Sequence, residues 1–251
     1  MAAVRLYDCR TLAERDQGIS AAVEAVKRGD LVVLPTDTVY GIGTDAFNTY
    51  SVEALQRAKG RGRDKPPPVL IGSVKTLDGL VISVPAHARD LIAAFWPGAL
   101  TIVVEHAPSL AWDLGETGGT VAVRMPLHPV ALEVLREAGP MAVSSANRTG
   151  QPPATTADAA REQLGYSVSI YLEAGECPEP VPSTVVDLTE DVPVVLREGA
   201  VPLEKLREVV PDIVGPDGAE PADAVPPAEA DPAAAATDAA AARGAEQGGG
   251  S

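Results

Sequence analysis

Short apolar runs that stop on a polar or turn-forming residue recur along this chain: LVVLP (31–35), PVLIG (68–72), LTIVVE (100–105), TVAVRM (120–125) and MAVSS (141–145). Each is too short for a buried helix and rich in β-branched residues, so each predicts a strand. SIYLEAG (169–175), STVVDLT (183–189) and VPVVLREG (192–199) extend the series. Helical periodicity lies between them. Thr11 and Glu14 have capping-box spacing ahead of Ile19, Val23 and Val26, and Gly29 supplies a stop. Further helices are predicted from Ser51 through Ala58, over Pro85 to Phe95, over 128–139, over 156–165 behind the cap Thr156, and at PLEKLREVV (202–210). Strands and helices interspersed irregularly, with some strands joined directly, predict an α/β fold of mixed, α+β-like character.

From about Gly215 the text changes to Ala, Pro, Gly and acids, with seven acidic residues, one base and no aromatic. Such a segment cannot bury enough apolar surface to offset its ordering entropy. One folded domain over 1–214 and a disordered tail over 215–251 are therefore expected. Across all 251 residues, 35 acids face 20 bases for a formal net charge of -15, which argues against a broad nucleic-acid- or membrane-coating surface. Any anion site must be local. The start, MAAVRLYDCRTLAERD, carries charges where a signal sequence needs apolar residues, and no run of about 18 apolar residues occurs. A soluble cytoplasmic protein without membrane contact is expected. Cys9 and Cys177 form no C-x-x-C and read as isolated structural thiols. His87, His106 and His128 lie apart without H-E-x-x-H, so they read as surface or capping residues and no protein-bound metal is expected. Walker, G-x-G-x-x-G and G-x-S-x-G signatures are missing as well.

What remains is a set of polar residues just after strands. Thr36-Asp37-Thr38-Val39-Tyr40-Gly41-Ile42-Gly43 follows LVVLP and is either a hydroxyl-rich turn or a ligand-orienting loop. KGRGRDKPPP (59–68) sets Lys59, Arg61, Arg63 and Lys65 close together. A solvated charge run is one reading. The interleaved glycines and the proline exit support another, a site for a compact polyphosphate. Arg124 closes an apolar strand, where it either reaches the surface or clamps a carboxylate. Ser144-Ser145-Ala146-Asn147, Ser183-Thr184 and Arg197 repeat the pattern of strand followed by hydroxyl or cation. The repetition predicts one cleft lined from several strands.

PTDTVYGIG (35–43), KGR (59–61), PGALT (97–101), VAVRMPLHP (121–129), SSANRTG (144–150), PSTVVDL (182–188) and LREGA (196–200) resemble, in order, the motifs of the YrdC-like threonylcarbamoyl-AMP synthases. The resemblance implies a twisted mixed sheet flanked by helices, with a concave, positively charged cavity. It implies joining of L-threonine, bicarbonate and ATP into threonylcarbamoyl-AMP with release of pyrophosphate, Mg2+ arriving with the triphosphate. A separate tRNA threonylcarbamoyl transferase complex would then modify the adenosine beside the anticodon, with weak direct tRNA contact by this chain as a further expectation. By resemblance Lys59, Arg61, Arg63, Thr120, Ser145, Asn147 and Arg197 would hold ATP, with Lys59 and Arg61 carrying the catalysis. Thr36, Arg124, Val143 and Ser183 would hold threonine. The chain departs from the family at PPPVLIGS (66–73), where many relatives have a Leu and a His that would touch threonine. The tail is too short and polar for the second domain of the family's longer branch, so the single-domain form is expected. Two rivals are a carbamoyl-adenylate-forming domain of hydrogenase-maturation type, which shares the fold, and a non-catalytic RNA-binding module, which the acidic composition disfavours.

Overall fold

The computed structural model describes residues 4–177 and 180–216. In chain order the elements are β1 (Arg5–Asp8), α1 (Leu12–Arg28), β2 (Val32–Leu34), β3 (Gly41–Asp45), α2 (Thr49–Lys59), β4 (Val69–Leu70), α3 (Val74–Leu77), α4 (Ala86–Phe95) and β5 (Leu100–Glu105). There follow β6 (Thr120–Arg124), α5 (Pro129–Ala138), β7 (Met141–Ser145), α6 (Ala157–Leu164), β8 (Ile170–Glu173), β9 (Thr184–Asp187), β10 (Val194–Arg197) and α7 (Leu203–Val209). The strands form one sheet in the order β1-β8-β2-β3-β7-β4-β6-β5-β9-β10. It is mixed, with β8 parallel to β1 and β2, β4 parallel to β6 and β5 parallel to β9, while the other neighbours run antiparallel.

Side chains alternate across each strand, so the sheet feeds two cores. Val33, Ile42 and Val69 pack with Val52 and Leu55 of α2, Leu91 of α4, Ala160 of α6 and Leu206 of α7. On the other face Val32, Leu34, Leu70 and Met141 pack with Ile19, Val23 and Val26 of α1 and Val130 and Val134 of α5. An Arg15–Glu133 ion pair joins α1 to α5. The helix–sheet–helix arrangement expected from the sequence is thus present.

Local departures have physical reasons. Thr11 stands at the N-cap of α1 but makes no capping hydrogen bond. Its hydroxyl donates instead to Asp8 O at 3.2 Å, and Glu14 reaches past it to accept the Asp8 N–H at 2.9 Å. Thr156 does cap α6, accepting from the Ala159 N–H at 3.1 Å. Gly41–Asp45, whose first three residues fall in the segment read as a turn or loop, is a strand held between β2 and β7. Val214 accepts from the Val195 N–H and donates to Pro193 O, both at 2.9 Å, so the chain is tied to β10 at the point where the tail was expected to begin. Beyond Gly215 and Pro216, the expected tail lies outside the described residues.

Cys9 and Cys177 are free and buried, and burial pushes each thiol up to about 11. Both are therefore protonated, weakly reactive thiols at neutral pH. The histidines are half-buried. His128 occupies the N-cap of α5 without a capping hydrogen bond.

Candidate active site

The α1–α5 core contains no residue of β5, β6, β9 or β10. On those strands Ile102, Val123, Val186 and Val195 face the opposite core. The alternate residues Thr101, Ala122, Arg124 and Val185 instead line a cavity, together with Arg197. Arg197 reaches it through a bulge. Val195 pairs with Val186 and Arg197 with Val185, so two steps along β10 oppose one along β9. Regular alternation would give Arg197 the same face as Val195; the extra residue turns it to the cavity.

The loop from β2 to β3 forms a second wall. Thr36 Oγ1 donates to Val39 O at 2.6 Å and accepts from the Thr38 N–H at 3.1 Å, closing a tight turn that presents both threonines. Arg124 is anchored against this turn. Its Nε donates to Gly98 O at 2.9 Å, its Nη1 to Thr38 Oγ1 at 3.0 Å and its Nη2 to Asp37 Oδ1 at 2.6 Å. Burial lowers the guanidinium's pKa and the neighbouring Asp37 opposes that shift.

Ser183 sits at the floor, with its hydroxyl 2.8 Å from Thr101 Oγ1. Arg197 donates from Nη2 to Ser183 O at 2.6 Å. Burial, followed by the positive charge of Arg124, pulls the pKa of Arg197 down. Two cations that disfavour each other face one space, and an anion between them would relieve both.

The third wall comes from the end of α2 and the turn after β7. Arg61 lines the cavity with Ser144 and Ser145, and its Nη1 lies 3.4 Å from Ser144 Oγ. Lys59 is only 2% exposed and lies behind this wall. Its ammonium donates to Ser145 O, to Asn147 O at 2.8 Å and to Asn147 Oδ1 at 3.3 Å. Burial, and secondarily Arg61, depresses its pKa to about 7. In this geometry Lys59 braces the Ser-Ser-Ala-Asn turn and does not open onto the cavity. Gly41 and Gly43 let that turn approach: a Cβ on Gly41 would lie 2.7 Å from Val143 Cγ1.

Seven residues expected from the sequence therefore converge: Thr36, Arg61, Arg124, Val143, Ser145, Ser183 and Arg197 all line the cavity. Four do not. Besides Lys59, Arg63 turns outward to an exposed ion pair with Asp113 at 2.7 Å. Asn147 directs its amide N–H groups to Arg148 O at 3.0 Å and Gln151 O at 2.6 Å. Thr120 lines a separate small cleft with Pro66, Pro67 and Thr117. Thr38, from the loop read as a possible ligand-orienting segment, lines the cavity as well, and the lining residues missed include Thr101. Thr101 was legible: it is the polar residue between Leu100 and Ile102, both of which face the core. At the departure from the family pattern, Pro66 and Pro68 line the cavity.

A mixed sheet carrying a cavity with three arginines and several hydroxyls, and no carboxylate among its lining residues, defines an α/β protein built to take an anionic ligand. The family model described as "Telomere recombination", covering Sua5, YciO and YrdC, matches residues 24–199. The chain belongs to that family. A "Putative threonylcarbamoyl-AMP synthase" of Mycobacterium tuberculosis is 59% identical over 204 residues, 81% of this chain and 94% of the relative. The "Threonylcarbamoyl-AMP synthase" of Bacillus subtilis is 38% identical over 79% of this chain, which spans 58% of that longer protein. The structure of P. abyssi Sua5 complexed with L-threonine superposes with a TM-score of 0.81 at 36% identity, covering 89% of this chain and 67% of that one.

Proposed function

We propose that this chain is a threonylcarbamoyl-AMP synthase, a nucleotidyltransferase that joins L-threonine, bicarbonate or CO2, and ATP, and releases pyrophosphate. The observation that carries the reading is the convergence of Thr36, Arg124 and Ser183 with Arg61, Ser145 and Arg197 on one cavity. The names of its relatives and the threonine complex of a similar structure support it.

In this reading the threonine carboxylate lies on Arg124, and Thr36 and Ser183 orient its polar groups. Its neutral amine nitrogen forms a bond to the carbon of CO2 and loses a proton; with bicarbonate that proton leaves with the displaced hydroxyl as water. A carbamate oxygen then bonds to the α-phosphorus while the bond from phosphorus to the β-bridging oxygen breaks, its electron pair departing with pyrophosphate. No covalent nucleophile from the protein is needed. Alignment and positive charge suffice, and Arg61 and Arg197 supply the charge. Mg2+ would enter on the triphosphate, coordinated by phosphate and water oxygens, because arginines and hydroxyls suit the anion and not the cation. Thr120, Arg63 and Asn147 remain proposed ATP contacts through movement of their loops, and Lys59 acts by bracing the turn. The product would pass to a tRNA threonylcarbamoyl transferase complex in the cytoplasm; among the described residues, no helix is long and apolar enough to cross a membrane.

Pyrophosphate release, measured with each substrate withheld in turn, tests the reading. Turnover that needs threonine, bicarbonate and ATP together supports it. Dependence on carbamoyl phosphate would instead identify the hydrogenase-maturation chemistry, and RNA binding without turnover a non-catalytic module. Arg61→Ala is expected to cut turnover by about 10²-fold, the usual effect of losing one charge-stabilising donor.

A further inference from the structure

Asp37 lies outside the cavity lining, yet it holds the one guanidinium expected to meet the amino-acid carboxylate. Its Oδ1 accepts from Arg124 Nη2 at 2.6 Å and from the Leu127 N–H at 2.9 Å, so one carboxylate oxygen joins the β2–β3 loop to the end of β6 and the segment after it. The side chains of Arg124 and Asp37 are 8% and 15% exposed, which makes this a largely desolvated pair. Removing one member of such a pair leaves the other charge uncompensated.

The hydrogen-bond count of Arg124 is informative. A guanidinium carries five N–H groups in a fixed plane. Gly98 O takes the one on Nε, Thr38 Oγ1 one on Nη1 and Asp37 Oδ1 one on Nη2. That leaves one N–H on each terminal nitrogen of a side chain that lines the cavity. Two donors on adjacent nitrogens form the fork that grips a carboxylate bidentately. The three anchors fix the plane of this fork before any ligand arrives, and preorganisation of this kind raises affinity by removing ordering cost.

We propose that Asp37 is a positioning residue that sets affinity for the carboxylate of the amino-acid substrate through Arg124, without touching that substrate. This rests on the reading that Arg124 receives the threonine carboxylate. The structure assigns Thr38 the lesser part in the same device, since its hydroxyl anchors Nη1 and contacts Thr36 Oγ1 at 3.0 Å.

The test is kinetic and uses the full chain. Asp37→Asn keeps the shape and an acceptor for the Leu127 N–H but removes the charge. It is expected to raise KM for L-threonine and its directly titrated Kd about tenfold or more, the effect of weakening a charge-assisted hydrogen bond. KM for ATP is expected to stay within about twofold, because the device acts on the carboxylate subsite alone. In an Arg124→Ala background, Asp37→Asn is expected to add nothing further to the threonine constant, since the coupled partner is already gone. An unchanged threonine constant in Asp37→Asn, equal losses for ATP and threonine, or full additivity with Arg124→Ala would each overturn the proposal. If Asp37→Asn fails to fold, Thr38→Val removes the Nη1 anchor together with the hydroxyl contact to Thr36 and is expected to raise the threonine constant about threefold or more on the same grounds, with KM for ATP again within about twofold; no change in the threonine constant is equally fatal. Absence of threonine binding by the unaltered chain would overturn the parent reading instead, so the two failures are separable.

Discussion

An ammonium as deeply buried as that of Lys59 persists because Ser145 O, Asn147 O and Asn147 Oδ1 surround it. Those oxygens favour the protonated form, while burial and Arg61 draw the pKa down to about 7 from 10.5. The consequence is a pH dependence of definite sign. Between pH 7 and 9 the unfolded chain keeps this lysine protonated while the folded chain releases its proton, so the unfolded state binds more protons and stability rises with pH. For a single site the slope reaches at most about 1.4 kcal/mol per pH unit and vanishes below the folded pKa. Denaturant unfolding of the wild type and Lys59→Met, compared at pH 7 and pH 9, is expected to show this rise in the wild type and a flatter profile in the variant. Parallel profiles would mean that the lysine keeps an ordinary pKa in the folded protein. The sequence placed Lys59 beside the right turn but pointed it at a phosphate. Nothing in KGRGRDK distinguishes a cation facing a ligand from one facing backbone carbonyls, because the carbonyls belong to a strand end 86 and 88 residues away.

At the scale of elements, what was legible followed the physics of one segment at a time. Helices with a clean apolar stripe and a stop signal, such as α1 ahead of Gly29 and α5 behind Pro129, could be read directly. The short strand β3 could not, because its backbone is held by β2 and β7 against the preference of its glycines. The bulge that aims Arg197 was hidden for a related reason: it exists only in the register between β9 and β10. The glycine at the start of β3 can be tested. A Cβ at Gly41 would stand 2.7 Å from Val143 Cγ1, so Gly41→Ala must displace the Val143 side chain or the strand that bears it and leads into the Ser-Ser-Ala-Asn turn. Overpacking of this kind costs about 1–3 kcal/mol. Gly41→Ala is expected to lower the midpoint of denaturant unfolding by that amount and to weaken nucleotide binding, and Val143→Ala in the same chain is expected to restore part of both. If the double variant is no better than the single one, the close approach of β3 to β7 is not the constraint.

For the whole molecule, the puzzle is how a chain of net charge -15 draws in a polyphosphate. Its acidity is unevenly placed. The segment 217–251 contains seven acids and one base, whereas the cavity gathers Arg61, Arg124 and Arg197 on one sheet face with no acid in its lining. At about 0.15 M ionic strength exposed charges more than roughly 8 Å apart are largely screened, and at about 0.01 M the range extends to roughly 30 Å. The acidic segment should therefore be silent for ATP at physiological salt and repulsive when salt is low. A chain ending at Pro216 keeps the backbone bonds of Val214 to β10, so truncation there spares the described fold. Its kcat and its KM for ATP at physiological salt are expected to match those of the full chain, while at about 0.01 M salt its KM for ATP falls below the full chain's, because a long-range repulsion has been removed. KM for L-threonine, a zwitterion, is expected to be equal at both salts. A loss of turnover on truncation would show that the segment joins the reaction, and an equal KM for ATP at low salt would show that its charge never reaches the cavity's field.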